Sequence, residues 1–94
     1  MPPLEIDFTP RFLLRARQLT DEQRQFLGEA ADALREAFGN PHKHSGLGIR
    51  RLGGNIFEFR VGRDLRVVFE LHGSTAELGM IGNHDQVKAY LKSR

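Results

Sequence analysis

The feature that most constrains this chain is a long stretch of alternating residues between positions 56 and 84. Apolar and polar side chains alternate with a period of two, which is typical of β-strands that bury one face. Two turns divide the stretch, one at residues 62–64 and a tighter one at residues 73–74, where glycine supplies the positive φ of a short hairpin. The stretch therefore predicts three consecutive antiparallel strands whose apolar face must be covered.

Two arginines are predicted to face each other across the first hairpin. A slip of one residue would turn every apolar side chain toward water, so the register pairs Val61 with Leu65. That register puts Arg60 opposite Arg66 on the polar face. Like charges in a direct cross-strand pair destabilise a sheet by about 0.2–1 kcal/mol. We interpret this unfavourable pair as a binding site for an anion.

The second hairpin brings a histidine toward the same place. The chain leaves the third strand at Gly82, so His84 is expected within a few ångströms of the two arginines. The tight turn also predicts three cross-strand pairs, namely Phe69 with Leu78, Val67 with Met80, and Arg66 with Ile81.

Composition indicates a small globular protein. With 94 residues, 39% hydrophobic and 28% charged, the chain is predicted to form one domain over residues 1–94. The absence of cysteine excludes disulfides and thiolate metal sites. No stretch approaches the roughly 20 apolar residues of a membrane span, and the first residues do not resemble a signal peptide. We expect a cytoplasmic protein that does not contact membranes.

Positive charge is concentrated in one part of the chain. The net charge is only +2, but residues 42–66 contain six lysines and arginines against two acidic residues. Such a basic face fits binding to a phosphate backbone, whereas a solvated charged surface is the alternative. The loop histidines His42 and His44 have no carboxylate or cysteine nearby, so no metal site is predicted there.

The N-terminal half predicts a short strand and two helices. Residues 4–8 alternate as a strand, and Thr9 with Pro10 then begins a short helix. A capping box of Thr20 and Gln23 opens a second, longer helix that ends before Pro41. The first helix has an apolar stripe of Phe12, Leu13, Ala16 and Leu19, with Arg11, Arg15 and Arg17 on other faces. The second has a stripe of Phe26, Leu27, Ala30, Leu34, Ala37 and Phe38.

The complete order of elements predicts an α+β fold. A strand at residues 49–52 places Arg50 opposite Glu58, and a last short helix follows His84 with Val87 and Leu91 one turn apart. The predicted fold has an N-terminal strand, a helical hairpin packed on one face of a twisted antiparallel sheet, and a short C-terminal helix. The opposite face is expected to stay open. The helices cover the aromatic residues of the sheet, which we assign to the core: Phe57, Phe59 and Phe69.

Together with this element order, the segments LGGNIFEFRVGRDLRVVFEL and IGNHDQVKAY resemble the RelE/ParE superfamily of bacterial toxin–antitoxin toxins. The resemblance covers nearly the whole chain and is most specific in the ribbon R-V-G-x-D-x-R-V-V-F and the later I-G-x-H-D. It implies a RelE-like toxin that a cognate antitoxin neutralises. In the RelE branch and its YafQ-like relatives, the toxin enters the A site of the 70S ribosome and cuts mRNA without a metal or cofactor. The ParE branch instead poisons DNA gyrase.

The resemblance also implies roles for individual residues. Arg66 aligns with an arginine that contacts the scissile phosphate, and His84 with a catalytic histidine of the YafQ-like members. Tyr90 matches a functional tyrosine of RelE, and Asp64 an acidic residue of the YafQ-like group. His44 lies near a loop histidine of that group. The lysines of the RelE ribbon are absent here, and Arg60 replaces a histidine of the YafQ-like group. The expected RNA-binding set is Arg60, Arg63, Arg50, Lys43 and His44.

These residues suit the cleavage of RNA by its own 2′-hydroxyl. The reaction needs a base, positive charge on the non-bridging oxygens and an acid for the departing 5′-oxygen. The planar fork of Arg66 suits the oxygens, with Arg60 in support. His84 suits proton transfer because imidazole changes protonation near neutral pH. Asp64 would orient the histidine, and Tyr90 would stack on a base or donate a proton; the identity of the general base stays open.

Structural roles are the alternatives for the same residues. Arg60 and Arg66 would pair with Glu58 and Glu70 in a surface network, and His84 would cap the last helix. Asp64 would form its turn, and Tyr90 would pack beneath the helix. Two other functions also stay open at this stage: a gyrase inhibitor without catalysis, and a degenerate toxin that only binds an antitoxin.

Overall fold

The computed structural model describes residues 4–37 and 47–93. The predicted α+β class is confirmed, with an N-terminal strand, two consecutive helices and a C-terminal helix. The elements in chain order are β1 (Glu5–Phe8), α1 (Pro10–Ala16), α2 (Asp21–Ala37), β2 (Arg50–Gly53), β3 (Ile56–Val61), β4 (Leu65–His72), β5 (Thr75–Gly82) and α3 (His84–Lys92). Among these helices, none is long and apolar enough to cross a membrane.

All five strands form one mixed sheet in the order β1-β5-β4-β3-β2. The antiparallel meander of β2 to β5 is confirmed. β1 adds to the outer edge of β5 and runs parallel to it. A parallel neighbour needs a long crossover connection, and here α1, α2 and the meander separate the two strands in sequence. The sheet is therefore mixed rather than wholly antiparallel.

The helical hairpin covers one face of the sheet, as predicted. Thr20 and Gln23 form the expected capping box, in which each backbone N–H donates to the other side chain, at 2.8 and 3.1 Å. Two members of the predicted stripes lie outside the core, because Leu13 is 46% exposed and Phe26 41% exposed. Phe38 lies outside the described residues. The buried core contains Phe12, Ala30, Leu34, Phe59, Val61, Val67, Phe69, Leu78 and Ile81.

The first hairpin has the predicted register. Val61 pairs with Leu65 and Arg60 with Arg66, so the two arginines are direct cross-strand partners. In the second hairpin the predicted pair of Phe69 and Leu78 is also confirmed. From the first hairpin to the pair of Phe69 and Leu78, the alternation of apolar and polar side chains was enough to predict which residues face each other.

A β-bulge at Gly79 changes the register of the second hairpin. Phe69 pairs with Leu78 and Val68 with Met80, so Gly79 is an extra residue on β5. The predicted partners for Val67 and Arg66 are therefore wrong: the observed pairs are Val67 with Ile81 and Arg66 with Gly82. The extra residue turns Ile81 into the core and Met80 to the opposite face.

The last helix covers part of the face that was expected to be open. We call this side, which carries Arg66, Val68 and Glu70, the α3-side face. Val87 of α3 packs there with Val68 and Met80 in a second, small core. The bulge supplies Met80 to this core, which is why the sequence pattern concealed it. The expectation of an open face holds only outside the area under α3.

Candidate functional site

A buried carboxylate lies between two arginines on the α3-side face. The side chain of Glu58 is only 5% exposed, and its Oε2 accepts a hydrogen bond from Nη1 of Arg66 at 2.5 Å. The predicted cross-strand pairing of Arg50 with Glu58 is confirmed, and Oε1 of Glu58 lies 3.6 Å from Nη2 of Arg50. A carboxylate buried to this extent is stable only when cations and hydrogen bonds compensate for its lost hydration. Glu58 therefore fixes the position of Arg66.

Arg66 retains hydrogen-bonding capacity after this interaction. Guanidinium carries five N–H donors in a rigid fork, and only Nη1 donates to Glu58. Within residues 4–37 and 47–93, Nε and Nη2 of Arg66 make no hydrogen bond. The side chain is 33% exposed, so solvent reaches it. The ion pair with Glu58, which was the structural alternative for Arg66, is thus observed. It leaves Nε and Nη2 of Arg66 available to a ligand.

The guanidinium of Arg60 does not join that of Arg66 at Glu58. It lies beside the backbone of Gly48, where an added Cβ would be only 2.5 Å from Nε of Arg60. Gly48 has φ +60°, which glycine adopts readily, and the backbone N–H of Arg60 donates to the carbonyl of Leu47 at 2.8 Å. The paired arginines therefore direct their charges to different points along the edge formed by β2 and β3.

His84 is the first residue of α3 and is exposed. It follows Gly82, the cross-strand partner of Arg66, by two residues. The alternative role as a helix cap is wrong, because Asn83 caps α3 in a reciprocal pair with Gln86, both hydrogen bonds being 2.8 Å. In the described part of the chain, the His84 side chain forms no hydrogen bond or ion pair. The backbone therefore places His84 at the end of the sheet where Arg66 lies, with an imidazole that has no partner among the described residues.

Arg15 is a charged residue near this end that sequence reasoning missed. Its Nε donates to the carbonyl of Ile81 at 2.6 Å, and its Nη2 would lie 3.2 Å from a Cβ on Gly82. The expectation that Arg15 points away from the sheet is therefore wrong. Its spacing of three residues from the buried Phe12 was the available signal, because residues at i and i+3 share a helix face.

Asp64 and Arg63 lie together in the exposed turn between β3 and β4. They line a cavity of about 370 Å³ with Glu22 and Phe26 of α2. Among the described residues Asp64 makes no hydrogen bond with His84. This arrangement fits the turn-forming alternative better than an interaction that orients the histidine.

Tyr90 packs over the bulge of β5. The centre of the Arg11 guanidinium lies 5.4 Å from the centroid of the Tyr90 ring, within the range of a cation–π interaction. A Cβ on Gly79 would lie 2.7 Å from the Tyr90 hydroxyl. Gly79 is three residues before Gly82, the partner of Arg66, a separation of about 10 Å along an extended strand. The structure places Tyr90 away from Arg66.

The predicted RNA-contacting residues are only partly described. Arg50 and Arg60 are exposed on β2 and β3, and Arg63 is exposed in the turn between β3 and β4. Lys43 and His44 lie outside the described residues. The described part of the predicted site therefore consists of Arg66 held by Glu58, with Arg50 and Arg60 along the same edge and His84 at the start of α3.

Comparison with known proteins identifies the fold. No protein-family model matches the chain, and no curated protein matches it. An arginine-to-alanine double mutant of the E. coli toxin RelE, in the free state, is similar with a TM-score of 0.74 and 15% identity over 96% of this chain and 93% of that one. A chain of the archaeal RelE–RelB complex from Pyrococcus horikoshii OT3 gives 0.72 and 14%, over 87% and 96%. A chain of the E. coli DinJ–YafQ toxin–antitoxin complex gives 0.64 and 14%, over 92% and 98%. The chain has the fold of RelE-like toxins.

Proposed function

We propose that this RelE-like fold is the toxin of a toxin–antitoxin module, that it is inhibited by a cognate antitoxin, and that it cleaves messenger RNA in the A site of the 70S ribosome. The fold supports the toxin assignment, because the similar structures include RelE and YafQ in complexes with antitoxins. One observation supports the nuclease in particular: buried Glu58 fixes Arg66, and the adjacent strand end leads directly to His84.

The arginines supply the electrostatic part of the proposed reaction. Arg66 offers Nε and Nη2 to the non-bridging oxygens of the scissile phosphate, and the planar fork can hold two oxygens at once. Arg50 also pairs with Glu58, and the guanidinium of Arg60 lies beside Gly48, so positive charge extends from Arg66 along the edge formed by β2 and β3. Donors that are fixed before the substrate arrives stabilise a developing phosphorane with little reorganisation.

His84 supplies the proton transfer in this proposal. It removes the proton of the 2′-hydroxyl, whose oxygen attacks phosphorus, and the bond to the 5′-oxygen then breaks to leave a cyclic phosphate. One imidazole serves one end of this exchange, so the leaving oxygen takes its proton from another group. Ribosomal positioning of the substrate would complement this small set of catalytic groups. Arg63, Lys43 and His44 are proposed as further RNA contacts, and Asp64 and Tyr90 as residues that shape the site without contacting the scissile phosphate.

The test is cleavage of a reporter mRNA during cell-free translation with the purified chain. We expect primer extension to show cuts at ribosome-bound codons, and His84→Ala to lower the cleavage rate by about 10²–10⁴-fold. Arg66→Lys keeps a positive charge beside Glu58 but loses the planar fork, so it should also cleave slowly. Arg35→Ala, on the exposed side of α2, is the matched control and should cleave at the normal rate.

Cleavage at the normal rate by both His84→Ala and Arg66→Lys would refute the nuclease mechanism. Intact translation together with inhibited DNA supercoiling by gyrase would instead identify the gyrase-directed alternative. Circular dichroism of each variant establishes that the fold is retained.

A further inference from the structure

The opposite end of the α3-side face carries a second like-charged pair. Glu70 on β4 is the direct cross-strand partner of Glu77 on β5. His72 lies two residues after Glu70, hence on the same face, and its Nε2 is 3.3 Å from Oε2 of Glu70 and 3.9 Å from Oε1 of Glu77. An imidazole nitrogen and two carboxylates thus converge beside the β4–β5 turn.

The surroundings make this cluster more negative. β1 places Asp7 opposite Glu77 from the other side, and β3 places the uncharged Ile56 opposite Glu70. Three carboxylates therefore follow one another across neighbouring strands. Like charges in direct cross-strand pairs are unfavourable, and a cation between them would reverse the sign of that interaction.

We propose that Glu70, His72 and Glu77 bind a divalent transition-metal ion of the zinc class. One ligand atom from each residue lies within 4.8 Å of the others. Bonds of 2.0–2.2 Å in a tetrahedral zinc site separate neighbouring ligand atoms by about 3.4 Å. The 3.3 Å distance between His72 and Glu70 meets this requirement. The carboxylate of Glu77 lies 3.9 Å from His72, and this half-exposed side chain must move closer to complete the site.

The donor set selects the class of ion. Two carboxylates neutralise a double positive charge, and the imidazole favours zinc, nickel or copper over magnesium and calcium, which prefer oxygen ligands. Three protein ligands leave a coordination position for water or for an external ligand. The ion would link β4 to β5 across the hairpin. It has no part in the proposed RNA cleavage, which uses the other end of the face.

The sequence analysis predicted no metal site because it considered only His42 and His44. The candidate depends on the register that sets Glu70 beside Glu77, and this pairing lies on the turn side of the Gly79 bulge. The predicted pair of Phe69 and Leu78 already implies that Glu70 faces Glu77, but the approach of the His72 side chain to both carboxylates is visible only in the structure.

Calorimetric titration of the chelator-treated full chain with zinc chloride tests the proposal. We expect one ion to bind at this cluster, and His72→Ala and Glu77→Gln to weaken that binding by about tenfold or more. His84→Ala is the matched control, since it removes an exposed histidine from the opposite end of the same face and should leave zinc binding unchanged. Zinc should also raise the melting temperature of the natural chain but not that of Glu77→Gln.

Two results would overturn the proposal. The first is zinc binding that is undetectable, or unchanged in His72→Ala. The second is zinc binding that disappears in a His42→Ala/His44→Ala variant while His72→Ala retains it, which would assign the ion to residues 42–44. The altered side chains of His72 and Glu77 are about half exposed, so both variants are expected to fold, and melting without zinc checks this.

Discussion

The α3-side face has a like-charged cross-strand pair at each end, and the group beside each pair differs. Arg60 faces Arg66 at one end, and Glu70 faces Glu77 at the other. At the basic end a buried carboxylate, Glu58, pairs with Arg66. At the acidic end an exposed imidazole on the same hairpin lies beside the two carboxylates.

This difference determines what each end can bind. A buried carboxylate holds Arg66 in one place while leaving donors exposed, so the basic end presents a fixed positive group to an anion. An exposed imidazole is itself a metal ligand, so the acidic end presents three convergent donors to a cation. α3 packs between the two ends through Val68, Met80 and Val87.

The largest expected effect tests the basic end and concerns the rate of mRNA cleavage. Glu58→Gln removes the charge that fixes Arg66, although Glu58 itself is not proposed to touch RNA. Misplacement of a positioning group by about 1 Å can lower a rate by about 10²-fold, and we expect a loss of that order in ribosome-dependent mRNA cleavage. Glu5→Gln, an exposed carboxylate at the acidic end, is the control. Equal rates for the two variants would remove the proposed role of Glu58.

The second effect concerns the bulge that lies under α3. Gly79→Ala would bring a methyl group to 2.7 Å from the Tyr90 hydroxyl, so the Tyr90 side chain must move off the bulge. Overpacking of this kind costs about 1–3 kcal/mol of unfolding free energy, which urea denaturation would measure. Gly28→Ala, on α2 with open space around it, should instead stabilise the chain by up to about 1 kcal/mol. Destabilisation by both substitutions would show that close approach is not the cause.

A third effect is the stability of the basic end. Glu58→Gln leaves Arg66 and Arg50 without their shared anion, and hydrogen bonds to charged groups contribute about 1.5–3 kcal/mol. Because both arginines are partly exposed and can rehydrate, we expect a loss of about 1–2 kcal/mol by urea denaturation. The exposed Glu29→Gln should change stability little. An unchanged unfolding free energy in Glu58→Gln would mean that the ion pairs add no net stability.

The smallest expected effect tests the acidic end and is an increase in the unfolding free energy rather than a loss. Glu77→Gln relieves the repulsion with Glu70, so in the presence of a chelator it should raise the unfolding free energy by about 0.2–1 kcal/mol. Added zinc should stabilise the natural chain and remove this advantage. A destabilising effect of Glu77→Gln in chelator would show that the acidic pair is already compensated within the chain.

Sequence reasoning succeeded where a short-range pattern decides the structure. Alternation set the register of the first hairpin, including the pair of Arg60 and Arg66. The capping box at Thr20 followed from its residue types. The same reasoning failed beyond Gly79, because a glycine in a strand is compatible with both regular pairing and a bulge. Packing of α3 distinguishes the two, and no local pattern reports it.

The sequence by itself determined the order of elements, the apolar face and the position of the charged residues along each strand, because these depend on neighbours within a few residues. The tertiary structure decided where the charges point. Arg66 turns to Glu58 and Arg60 to Gly48, although both occupy equivalent places in the ladder. It also decided that Arg15 reaches β5 and that Glu70, His72 and Glu77 converge. These contacts depend on how the strands and helices pack together, and their free energies depend on burial and close packing that only the folded chain provides.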